Sequence, residues 1–128
     1  MKKVVILCNS EIQEIWKLGE DICEFFEKHR FNACLLCSAN SSKECIENAD
    51  IIFIGLEPLL NIEEATLVPL NDHQKLGLFT IRKFMSERSI GKWRAQFPDK
   101  NKDQIIELYT NTPSLRLNEI KTLLDFVA

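Results

Sequence analysis

The stretch Lys3-Val4-Val5-Ile6-Leu7-Cys8-Asn9-Ser10-Glu11-Ile12-Gln13 decides the fold. Residues 4–8 form an unbroken apolar run rich in β-branched side chains, the pattern of a central parallel strand covered on both faces. Asn9 and Ser10 turn the chain, and an amphipathic pattern follows at once. Ile12, Ile15, Trp16, Gly19, Ile22, Cys23 and Phe26 recur at helical spacing and give one apolar stripe, on which Gly19 allows close packing against the sheet. Glu11, Glu14, Lys17, Glu20, Glu24 and Glu27 fall mostly on the wet side. Ser10 and Gln13 fit a capping box, which predicts a helix opened by Ser10 as N-cap. A second run, Asp50-Ile51-Ile52-Phe53-Ile54-Gly55, reads as the neighbouring strand. In parallel sheets ligands bind beyond the C-terminal ends of two such strands.

The rest of the chain keeps the alternation. Residues 31–37 read as a strand and residues 38–42 as a polar loop. Ser41-Ser42-Lys43-Glu44 is a second capping box, opening a short helix to about Asn48. Residues 51–54 form the third strand, closed by Gly55. In residues 57–74 the pattern supports one or two helical turns, limited by Pro69. Residues 76–81 and 104–109 read as the fourth and fifth strands. Residues 82–97 have mixed helical spacing, weakened by Gly91, and residues 114–127 read as a closing amphipathic helix. Strands alternating with helices imply an α/β domain, a three-layer sandwich around a five-stranded parallel sheet of order 2-1-3-4-5.

Composition narrows the function. A chain of 128 residues is one domain's worth, and 45% hydrophobic with 27% charged residues is an ordinary globular mix. A net charge of −3 argues against nucleic acid and anionic membranes as partners. No signal peptide is legible, and no run approaches the ~20 apolar residues of a membrane span. The five cysteines then read as reduced thiols of a cytoplasmic protein. Cys34 and Cys37 stand on opposite faces of a strand and read as buried hydrophobes, without a disulfide between them. No metal site is expected, since His29 and His73 stand alone.

These residues resemble the flavodoxin-like superfamily over nearly the whole chain. The likeness rests on residues 3–8 running straight into a helix, on Asn48-Ala49-Asp50-Ile51-Ile52-Phe53-Ile54-Gly55 with Pro58 just after, on Lys75-Leu76-Gly77-Leu78-Phe79, and on residues 117–128. The resemblance implies flavin mononucleotide (FMN) held by three loops, and electron transfer to a redox partner protein. The family's phosphate loop is Ser/Thr-x-Thr-Gly-Asn/Thr-Thr. Here Ser10-Glu11-Ile12-Gln13-Glu14-Ile15 stands in its place, and only Ser10 matches. Ser10 and Gln13 are expected to cap the helix themselves, while Glu11 and Glu14 repel a phosphate. The second loop is Gly55-Leu56-Glu57-Pro58-Leu59-Leu60, without the family's aromatic. The third begins near Thr80, where Phe84 is the aromatic available to stack, with a place in the core as its alternative. Asn9, Ser10, Gln13, Gly55, Glu57, Pro58, Leu59, Thr80 and Phe84 are the candidate cofactor-binding residues, and FMN binding is expected to be weak.

A second resemblance, on residues 2–8 and 48–55, is to the IIB domain of the cellobiose-type sugar phosphotransferase system, whose phosphorylated Cys falls at Cys8. That family follows its Cys with a Gly- and Ser-rich anion loop, whereas this chain supplies two carboxylates and no Gly. A third reading is a flavodoxin-like fold without cofactor, serving as a binding or regulatory module. Beside each functional role stands a structural one: Ser10 as N-cap, Gly55 as strand terminator, Cys8 as buried hydrophobe, Trp16 and Trp93 as core.

Overall fold

The apolar runs become five strands. In the computed structural model these are β1 (Lys3–Leu7), β2 (Asn32–Leu36), β3 (Ile51–Gly55), β4 (Lys75–Ile81) and β5 (Ile105–Thr110). The helices are α1 (Gln13–Lys28), α2 (Lys43–Glu47), α3 (Glu87–Arg94) and α4 (Leu117–Val127). The structure describes residues 2–8, 11–36, 43–58 and 71–128. All strand pairs are parallel, and the sheet order is β2-β1-β3-β4-β5, as the alternation predicts. Val4 pairs with Ile51 and Ala33, so β1 lies between β3 and β2.

Two-residue alternation splits the sheet's side chains between two cores. On one face Val4, Ile6, Phe53, Phe79 and Leu108 pack under α1 and α4, with Ile15, Ile22, Phe26 and Leu123 above them. On the other, Val5, Leu7, Ile52, Leu76 and Leu78 meet Ile46, Met85 and Trp93, beneath α2 and α3. The central strands β1, β3 and β4 are buried on both faces, which is why their sequences read as continuous apolar runs. Buried Gln74 ties α2 to the sheet: its Nε2 donates to the carbonyls of Ile46 and Ala49, each at 2.8 Å.

Strand ends shift by a residue, and four larger differences from expectation have physical reasons. α1 starts at Gln13 with Ile12 at the cap position, in extended conformation and without a side-chain cap. The cap position therefore falls at Ile12, which packs against the core, and not at Ser10, which lies outside the described residues. Residues 82–97, with their mixed helical spacing, hold a single shorter helix. α3 opens only at Glu87, where Ser86 Oγ accepts from Ser89 N at 3.2 Å, and Gly91 sits inside it. Residues 114–116 lie before α4, because Asp21 Oδ2 holds Leu115 N at 3.1 Å and Thr112 Oγ1 donates to Ser114 O. β2 ends at Leu36, and Cys37 lies outside the described residues, while Cys34 carries a free thiol. No described helix is long and apolar enough to cross a membrane.

Candidate functional site at the C-terminal edge of the sheet

The sheet order reverses between β1 and β3, the place where sheets of this kind hold ligands beyond the C-terminal strand ends. Three segments meet it: the first turn of α1, the turn after β3 and the turn after β4. Glu57 and Pro58 follow β3, Phe84 follows β4, and these three line a common cleft with Met85, Ser86, Ser89, Lys92 and Trp93. Its volume is about 290 Å³, near the small end for ligand pockets. Larger hollows of about 350 and 500 Å³ lie elsewhere, one between α1 and α4, the other at the N-terminal ends of β4 and β5.

The turn after β4 is held from several sides. Arg82 N donates to Thr110 O at 2.7 Å, and the Arg82 guanidinium lies 4.2 Å from the Tyr109 ring centre. The Tyr109 hydroxyl donates to Met85 O, and Phe84 N bonds Ile81 O at 3.0 Å. Phe84 therefore sits at a fixed place, half-buried, with one part against the core and one part in the cleft. From the same turn, Lys83 Nζ reaches Glu14 Oε1 at 2.6 Å and stands 5.0 Å from the Phe84 ring centre. This pair joins the turn after β4 to the first turn of α1. Nothing in the local sequence marks Lys83 for a role. The signal was present only as a cation one residue before the nominated Phe84.

The nominated residues divide by what they touch. Gln13 is exposed at the start of α1, and Glu57, Pro58 and Phe84 come together in the cleft. Thr80 does not face the cleft. It is fully buried in β4, and its Oγ1 donates to Leu56 O at 2.8 Å, fastening the end of β3 to β4. Gly55 is a packing residue: a Cβ there would stand 2.8 Å from Phe79 Cζ and 3.1 Å from Cys8 Sγ. Asn9, Ser10 and Leu59 lie outside the described residues. Cys8 is 1% exposed within the core beneath α1. A thiol that accepts a phosphoryl group must meet its donor, so this position suits the buried hydrophobe and not the phosphoryl carrier. Among the described residues no group of three or more His, Cys, Asp or Glu is placed to hold a metal.

The expected repulsion by Glu14 also needs correction. Its carboxylate does not face the crevice as an isolated charge, because Lys83 neutralises it at contact distance. Glu11 is exposed and free to turn its charge into solvent.

No family model matches the chain, and no curated protein matches it in sequence. Solved structures do. A flavodoxin from Streptococcus pneumonia TIGR4 superposes with a TM-score of 0.66 at 12% identity, over 97% of this chain and 94% of that one. A diflavin flavoprotein A3 from Nostoc sp. gives 0.63 at 15% identity, over 98% and 88% respectively. With the strand order and the two-faced core, these likenesses establish that the chain has the flavodoxin-like fold.

Proposed function

We propose that this chain is a flavodoxin-type electron carrier that holds FMN at the C-terminal edge of its sheet and serves a redox partner protein. The observation that supports this most is the convergence of Glu57, Pro58 and Phe84 on one cleft at the C-terminal ends of β3 and β4. Phe84 offers a half-buried ring for stacking, with Trp93 and Pro58 as apolar walls. Ser86, Ser89 and Lys92 supply polar groups for the hydrogen-bonding edge of a flavin. The phosphate end lies with the first turn of α1, where the helix dipole is positive. Lys83 adds a cation there. When bound, FMN would supply the electron chemistry; the protein's share is to stack the ring, exclude water from one face and balance the phosphate charge.

Magnitudes place the affinity. A ligand of about 31 non-hydrogen atoms at about 0.3 kcal/mol per atom gains about 9 kcal/mol. An unpaired carboxylate ~5 Å from a phosphate charge costs about 3 kcal/mol at an effective dielectric near 20. The positive charge of Lys83 beside both anions offsets most of that for Glu14, whichever of them it contacts, and solvent-exposed Glu11 leaves about 1 kcal/mol. The net of about 8 kcal/mol corresponds to a Kd of about 1 µM. Titration of FMN, followed by quenching of flavin fluorescence, tests this. The native chain should bind near that value, and Phe84→Ala should weaken binding about tenfold through lost stacking. Absence of quenching up to about 1 mM FMN would overturn the reading in favour of the cofactor-free module.

A further inference from the structure

We infer that Lys83 reads the phosphate of the ligand and that Glu14 is its built-in competitor, occupying Lys83 until a phosphomonoester takes it. The inference rests on the flavin reading above and assigns the phosphate end to one side chain of this chain. Lys83, from the turn after β4, and Glu14, from the first turn of α1, meet at 2.6 Å. Both remain open to solvent, with side chains 57% and 39% exposed. A pair this exposed biases an equilibrium by about fivefold or less, so it opens readily. A phosphomonoester carries about −1.5 to −2 at neutral pH, with three acceptor oxygens. It outbids a single carboxylate for the same ammonium. The Lys83 ammonium also stands 5.0 Å from the centre of the Phe84 ring, which itself lines the cleft. Ring recognition and charge recognition are thus adjacent, and the site selects a ligand that carries both an aromatic system and a phosphate.

FMN and riboflavin share the ring and differ in the phosphate, so they separate the two functions. Each is titrated by fluorescence against the native chain, Glu14→Gln, Lys83→Met, Lys83→Arg and the double variant Glu14→Gln/Lys83→Met. The native chain should prefer FMN over riboflavin by about tenfold. Glu14→Gln should tighten FMN about fivefold and leave riboflavin unchanged. Lys83→Met should erase the preference and the gain from Glu14→Gln with it, while Lys83→Arg keeps the preference. Riboflavin binding reports that each variant is folded. If both flavins bind the native chain equally, or the preference survives Lys83→Met, the inference is overturned while the flavin reading stands. An unchanged FMN affinity in Glu14→Gln overturns the competition. If neither flavin binds any variant, inference and reading fail together.

Discussion

Gly77 marks a point where a ring replaces a side chain. It pairs with Phe53 across β3 and β4, and a Cβ at Gly77 would stand 2.2 Å from Phe53 Cε1. Gly77→Ala should therefore cost about 1–3 kcal/mol by overpacking, read as a lower urea midpoint. Adding Phe53→Leu should return part of the loss, since it removes the opposing ring. Gly91 is the reverse case. It is exposed within α3, and nothing lies within 4 Å of where its Cβ would be. Gly91→Ala should stabilise by up to about 1 kcal/mol. Neither outcome was legible in the sequence. The Gly77 requirement comes from a strand partner more than twenty positions away, and Gly91 looked like a helix breaker because local propensity ignores capping by Ser86. At Cys23, burial, then the neighbouring Glu27, pushes the thiol up to about 11. The folded state thus binds this proton more tightly than the unfolded chain. Its contribution to stability is complete below about pH 9 and is lost as pH rises toward about 11. Alkylation by iodoacetamide at pH 8 should be correspondingly slow at Cys23 in the folded protein and fast in urea.

At the scale of elements, strands were easier to read than helix starts, for a physical reason. Strands buried on both faces announce themselves as apolar runs, and β1, β3 and β4 are of that kind. Helix starts depend on what the first turn packs against. Ser10-Glu11-Ile12-Gln13 has the local form of a capping box, but Ile12 is drawn to the core and the helix begins after it. The cap position makes a testable trade. Ile12 already has φ −82° and ψ 108°, suited to an N-cap. Ile12→Asp should strengthen α1 by about 1 kcal/mol through capping, offset by lost apolar packing. It should also weaken FMN binding at least tenfold, because a fixed carboxylate then occupies the end of the helix dipole. A thermal melt and a fluorescence titration on the same variant read the two effects separately. At α3, Ser86→Ala should cost about 1 kcal/mol, since Ser86 caps the helix that walls the cleft.

For the whole molecule, topology converts scattered residues into one edge. The order β2-β1-β3-β4-β5 was legible from alternating runs, and with it the end of the sheet where ligands bind. Glu57, Pro58 and Phe84 could be nominated because each follows a recognisable strand. Lys83 could not, since its importance depends on Glu14 from a distant turn of the chain. Thr80 was nominated by position alone, and pleat alternation turned it inward. The proposed FMN site lies at the C-terminal edge of the sheet. Amide chemical-shift mapping of isotope-labelled protein during FMN titration tests that most directly. The amides of Gln13, Glu14, Glu57 and residues 83–86 should move together, saturating near 1 µM-scale affinity, while Lys75, Lys102 and Ala128 at the opposite end stay still. Shifts gathered around Lys75 and Lys102, or none at millimolar FMN, would contradict it.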